Sequence, residues 1–183
     1  MWRRSRRSSP HCWRRGYTGE GTPMIALPSI RLATSKDAAL IAEMSRDYIE
    51  HGLGWSWTPA RVLAAVRDRA TNIAVAVDLE LLAGFGIMHY GEDSAHLALL
   101  AVRPNRQQCG LGARLIAWLE KPALVAGIER IRLEARADNP KAIGFYRKQG
   151  YREVGRVNGY YRGTVDAVRL EKRLGSGLGT LAR

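Results

Sequence analysis

Apolar and polar residues alternate over "IRLA" (residues 30–33), a period of two that predicts a first strand. Thr34 or Ser35 then stands as an N-cap ahead of Ala38, Ala39, Ile41, Ala42, Met44 and Tyr48, whose spacing puts them on one broad helical face. Gly52 and Gly54 end that helix, and Trp55 and Trp57 follow in a connecting loop. In "TPARVLAAVRDRA" Thr58 is a good N-cap and Pro59 suits the first helical position, so a short second helix starts there. The runs "NIAVAVD", "LLAGFGIMHY" and "AHLALLAV", separated by turn-like "DLE" and "GEDS", predict an antiparallel meander. A helix from Gly110 to about Ala126 is next, with Pro122 expected to kink it or shift its end. A strand "RIRLEA", a short helix after Asn139 and Pro140, and closing strands near residues 151–156 and 164–174 complete the pattern. An antiparallel front joined to one β-α-β crossover predicts an α+β fold with a mixed central sheet.

Composition narrows the picture. A chain of 183 residues fits one domain of ordinary size. Residues 1–23 hold six arginines against one glutamate, nearly half of the formal charge of +12, and lack apolar periodicity. They read as a disordered basic segment, either a genuine tail or residues ahead of a true start at Met24. No apolar h-region follows, which argues against export, and no run reaches the roughly 18 apolar residues of a membrane span. The folded body is assigned to residues 24–174 and a flexible tail to residues 175–183. The cysteines, Cys12 and Cys109, lie far apart with no metal-ligand spacing, so neither a disulfide framework nor a zinc site is expected, and a cytoplasmic setting is the default. In the body, arginines interleave with acids, as in "IERIRLEARADN", which reads as a solvated surface before a nucleic-acid face.

The segment "LALLAVRPNRQQCGLGARLI" carries the chemistry. A strand, a polar loop and glycines at the first turn of a helix present unpaired backbone N–H groups at the positive end of a helix dipole. Gly110 and Gly112 would let phosphate oxygens approach the main chain. The spacing is neither the lysine-bearing phosphate loop nor GxGxxG. By itself it also reads as plain turn chemistry.

Two linked segments decide between these readings. "QQCGLG" (residues 107–112) and "NPKAIGFYRKQGY" (residues 139–151) resemble the paired signatures of the GNAT superfamily of N-acetyltransferases, nearest to its ribosomal-protein alanine branch, over roughly residues 29–174. The resemblance implies a mixed sheet of about seven strands flanked by about four helices. It implies acetyl-CoA as donor, with no metal. The backbone of Leu100, Ala101 and Val102 would pair with the pantetheine arm. The loop and helix start, Gln107, Gln108, Cys109, Gly110, Leu111, Gly112 and Ala113, would hold the pyrophosphate. Asn139 would bind the cofactor's arm, with helix capping as its plain alternative.

Transfer from a thioester to an amine needs a base, oxyanion donors and a hydrogen for the leaving sulfur. By resemblance Tyr146 is the acid, against simple packing beside Ala142 and Ile143. Glu134, twelve residues earlier, is the candidate base, against an ordinary surface ion pair on the polar face of "RIRLEAR". The four histidines suggest no constellation. "NGYYRGTVDAVRLEKRL" resembles the closing segment of enzymes that acetylate protein N-termini, making Tyr160 and Tyr161 candidate substrate walls. The loop "GLGWSWTPAR" departs from the Pro-Trp of that branch, and Trp55 and Trp57 could instead cap a small-amine pocket. The expected acceptor is a protein N-terminal or lysine amine, with a polyamine or aminoglycoside as the alternative and a basic nucleic-acid module as the reading from another class. The protein is expected to act as a monomer or homodimer.

Overall fold

The computed structural model describes residues 27–175, together with two short strands, Arg15–Tyr17 and Pro23–Ile25, that pair antiparallel. The rest of the basic segment expected to lack order, and the tail from residue 176, lie outside the described residues.

Seven strands form one sheet. They are β1 (Ser29–Leu32), β2 (Thr71–Asp78), β3 (Leu81–Tyr90), β4 (Ser94–Val102), β5 (Arg130–Arg136), β6 (Arg152–Tyr161) and β7 (Val165–Arg173). Their spatial order is β1-β2-β3-β4-β5-β7-β6. All neighbours are antiparallel except β4 and β5, which are joined through helix α3 (Leu111–Val125) and run parallel. The expected α+β class and mixed seven-stranded sheet are what the chain builds. Helices α1 (Ala38–Tyr48) and α2 (Pro59–Arg67) cover one face; α3 and α4 (Pro140–Lys148) cover the other.

Helices α2 and α4 start where their caps direct, whereas Thr34, expected to cap α1, caps a short 3-10 turn, Ser35–Asp37, and α1 follows from Ala38. Thr58 Oγ1 accepts from Arg61 N at 3.4 Å, and Asn139 Oδ1 accepts from Ala142 N at 3.0 Å. Before α1, Asp37 Oδ2 accepts from the backbone and hydroxyl of Thr34 and from Arg31. The buried face of α1 is Ala38, Ile41, Ala42, Met44 and Ser45; Ala39 and Tyr48, expected on it, are exposed. Pro122 does not end α3. The helix continues to Val125, and Ala126 N bonds Pro122 O at 2.9 Å, so the cost is one missing donor in the last turn.

Two features of the sheet shape the site. First, α3 lies close on β3, because Gly86 has no side chain. A β-carbon there would stand 2.8 Å from Leu119 Cδ1. Second, Ile87 pairs with Leu99 and Met88 with Leu97, so Ala98 is the extra residue of a β-bulge. The bulge exchanges the faces of β4. Ala95 and Leu97 belong to the core under α3, whereas Leu99 and Ala101 belong to the core under α1 and α2. Among the described residues, no helix is long and apolar enough to cross a membrane.

Candidate active site

The parallel strands β4 and β5 stay together for three pairs, Ser94 with Arg130, Ala95 with Ile131 and His96 with Arg132. Beyond these pairs β4 runs on to Val102 and β5 to Arg136 without further pairing between them. The strands part, and a cleft of about 860 Å³ opens at the parting. The unpaired edge of β4 after the bulge includes Leu100, Ala101 and Val102, the residues expected to pair with an extended ligand arm.

At the far end of that edge the chain turns into α3. Gln108 (φ 62°) and Gly110 (φ 76°) both adopt the left-handed conformation, which aims the loop's backbone at the helix start. The first N–H of α3 to find a backbone acceptor is that of Arg114, on Gly110 O at 3.0 Å. Those of Leu111, Gly112 and Ala113 have no backbone acceptor among the described residues, the usual condition of a helix N-terminus and the donor set that suits a phosphate. Gln107 braces the loop, donating to Val102 O at 3.0 Å and accepting from Lys141 Nζ at 3.2 Å. A β-carbon on Gly112 would meet Phe145 Cζ at 3.1 Å, so close packing of α4 against the first turn of α3 also favours glycine there. Cys109, read as unbridged, is not a free thiol here.

Glu134, Tyr146, Asn139, Tyr160, Tyr161 and Trp57 all border the cleft. Tyr146 packs against Phe145 and Tyr151, with ring centroids 5.2 and 5.8 Å away, so its packing role is real. Its hydroxyl has no hydrogen-bond partner among the described residues, and burial pushes its pKa well above the usual phenol range. It therefore stays protonated. Tyr160 and Tyr161 meet edge to face at 5.0 Å, and Tyr161 donates to Glu134 O at 3.2 Å. Burial, with Tyr160 alongside, raises Tyr161 to about 12.

Glu134 is more than a surface ion pair. Its side chain is 15% exposed, its Oε2 lies 2.7 Å from His96 Nε2, and its Oε1 lies 3.4 Å from Arg169. The hydrogen bond from His96, with help from Arg169, holds it below the ordinary carboxylate range against the opposing effect of burial. The absence of a histidine grouping in the sequence reading is thus corrected, because His96 and His89 both border the cleft and are cross-strand partners.

The two tryptophans separate. Trp57 is buried between the Arg61 guanidinium, 4.3 Å from its ring centre, and the His89 ring, and forms part of the cleft wall. Trp55 does not line the cleft. It is partly exposed, donating to Ala42 O at 3.2 Å beside the Arg46 guanidinium.

The sequence reading also missed Glu50. This buried carboxylate accepts from Ser45 Oγ at 3.0 Å, Ser56 N at 2.8 Å, Trp57 N at 3.1 Å and the Ser56 hydroxyl. Burial alone would raise its pKa, but the donated hydrogen bonds outweigh that and lower it. It pins the loop from α1 to α2 that forms one bank of the cleft. Its signal in the sequence was faint: one acid just after a helix, with serines on either side. Among the described residues, no group of three or more His, Cys, Asp or Glu side chains could hold a metal ion.

The comparisons with known proteins agree with this geometry. A model of the acetyltransferase (GNAT) family matches residues 39–151. The ribosomal protein bS18-alanine N-acetyltransferase of Salmonella typhimurium is 30% identical over 115 residues, covering 61% of this chain and 77% of that protein. Among solved structures, Ard1 from Thermoplasma volcanium superposes with a TM-score of 0.73 at 22% identity, covering 81% of this chain and 99% of that one. The PaiA N-acetyltransferase from Thermoplasma acidophilum, in complex with coenzyme A, gives 0.68 at 20% identity, covering 80% and 98%. A parted pair of parallel strands, open helix-start donors beside it and a family match over most of the folded body lead to one conclusion: the chain belongs to the acetyltransferase (GNAT) family and is an acetyl-CoA-dependent N-acetyltransferase.

Proposed function

We propose that the enzyme acetylates the α-amine of a protein or peptide N-terminus. The observation that carries this is the commitment of the cleft's acids. Glu50 and Glu134 are the carboxylates that line it, and both are occupied, the first by donors from Ser45, Ser56 and Trp57, the second by His96 and Arg169. Arg61, Arg136 and Arg162 line the same cleft. A polyamine or aminoglycoside brings further ammonium groups that need free carboxylates, and here they would meet guanidinium groups instead. A peptide brings one amine followed by a neutral backbone, which the paired tyrosines can flank.

In this reading the edge of β4 at Leu100, Ala101 and Val102 holds the pantetheine arm. The backbone from Gln107 to Ala113 cradles the pyrophosphate, and Asn139 both caps α4 and faces the arm. A backbone N–H on that edge meets the oxygen where charge develops. The Tyr146 hydroxyl donates to the departing sulfur, and the amine loses its proton on the side of Glu134. A cytoplasmic setting suits a soluble thioester donor.

The test is an acceptor screen with the full chain, reading released CoA thiol. N-terminal peptides, among them one beginning with Ala, should outpace a peptide with a blocked N-terminus and internal lysine, spermidine and an aminoglycoside. Faster turnover of spermidine or the aminoglycoside would overturn the proposal.

A further inference from the structure

The hydrogen bonds of the two cleft histidines fix their tautomers. An ionised Glu134 only accepts, so its 2.7 Å contact with His96 requires the proton on Nε2. The neutral ring then carries its lone pair on Nδ1, which has no hydrogen-bond partner among the described residues, on a side chain 44% exposed at the cleft. His89 is the opposite case. Thr71 gives its hydroxyl proton to Asp68 at 2.5 Å, so His89 Nδ1, 2.7 Å from the same oxygen, must donate to it. His89 is further held by stacking on Trp57 and lies one strand away from the parting. His96 is on β4 itself, at the last residue paired with β5 and two positions before the bulge.

We propose that His96 takes the proton of the acceptor amine and that Glu134 acts through it, orienting the ring and stabilising the imidazolium. This deepens the reading that the amine enters on the Glu134 side and rests on it. Both Glu134 oxygens are already engaged, and an engaged carboxylate is a weak base. A neutral imidazole with an open nitrogen lone pair is the side chain most often used as a general base. The step balances. The amine nitrogen bonds the carbonyl carbon and the carbon–sulfur bond breaks. The nitrogen's proton passes to His96 Nδ1 while Nε2–H stays hydrogen-bonded to Glu134, and the sulfur takes its hydrogen from Tyr146; His96 then releases its proton to solvent and Tyr146 takes one up, so no net proton is gained or lost.

Two measurements on the full chain test it. Nitrogen-15 NMR of the imidazoles should find neutral His96 as the Nε2–H tautomer; an Nδ1–H tautomer would overturn the proposal without any acceptor in hand. In turnover, His96→Ala should lower kcat/KM on the order of a hundredfold or more, leave the KM for acetyl-CoA unchanged and regain rate in proportion to added imidazole. Glu134→Ala should lose rate and gain nothing from imidazole. His96→Gln serves if the alanine variant does not fold. Near-normal turnover by both His96 variants, or the main loss in His89→Ala, would overturn the assignment. Failure of the wild-type enzyme on every peptide would count against the acceptor class, and the tautomer would still decide the role of His96.

Discussion

The guanidinium of Arg162 lies against the backbone of Gly54, in the space a β-carbon on Gly54 would occupy. Arg162 belongs to the turn between β6 and β7, Gly54 to the loop between α1 and α2, and the contact joins the two banks of the cleft. Removing the arch should loosen acceptor binding and leave the donor alone. Arg162→Ala is expected to raise the KM for a peptide acceptor by up to about tenfold, roughly 1.4 kcal/mol, with the KM for acetyl-CoA unchanged. Steady-state kinetics with each substrate varied in turn checks it. A rise in both constants would place Arg162 in general stability.

Tyr146→Phe keeps the contacts with Phe145 and Tyr151 and deletes the hydroxyl. A group acting on the leaving sulfur works in the transition state, so kcat should fall about a hundredfold with little change in the KM for acetyl-CoA. Undiminished turnover would leave the residue with packing alone.

Gly112→Val sets a branched side chain against Phe145 and disturbs the first turn of α3. Two effects should appear together: a stability loss of about 1–3 kcal/mol from overpacking, and weaker protection of the melting temperature by acetyl-CoA. Thermal melts with and without the donor separate them.

Glu50→Ala leaves Ser45 and the N–H groups of Ser56 and Trp57 without their acceptor. The buried donors among them, on Ser45 and Trp57, cost about 1–3 kcal/mol each when stripped in this way, and water can take up the more exposed Ser56 N–H. The cost should fall on the loop, seen as faster amide exchange at Ser56 and Trp57 and a higher acceptor KM.

Asp37 gives the pH prediction. The two-point hydrogen bond from Arg31, at 2.8 and 2.9 Å, with Thr34 adding to it against burial, lowers its pKa from 3.8 to about 2. A depressed carboxylate binds protons less readily folded than unfolded, so its contribution is full above pH 3.8 and fades as the pH falls toward 2. Acid melts of the wild type should therefore lose about 1 kcal/mol over this window from this group, once solvent screening of its half-exposed partner Arg31 is allowed for. Asp37→Asn should be less stable at neutral pH and show a flatter acid profile.

Much of the fold was legible because it rests on local rules. The capping of Thr58 and Asn139, the alternation in the meander and the left-handed turn at Gly110 are each written within a few residues. The strand, loop and helix start from Leu97 to Ala113 were legible for the same reason, since they are contiguous. What the sequence hid depends on register. His96 and Glu134 meet across 38 positions only because β4 and β5 pair in one particular parallel alignment. The bulge at Ala98, which decides the face to which Leu99 points, leaves no mark in an apolar run. Trp55 and Trp57 are near neighbours in sequence, yet one lies outside and the other in the cleft wall, a difference set by the folding of the loop around Glu50.

The parting of β4 from β5 leaves backbone hydrogen-bonding groups open in the interior of the sheet. A β-sheet normally keeps its edges at its margins, where they can be blunted or covered; this one carries a bare edge in its middle. If the pantetheine arm lies there, the sheet is finished by a molecule from metabolism. Those amides of β4 beyond the bulge that face away from β3 would then exchange slowly with solvent when acetyl-CoA is plentiful and quickly when it is scarce, and the chain's lifetime in a cell would follow.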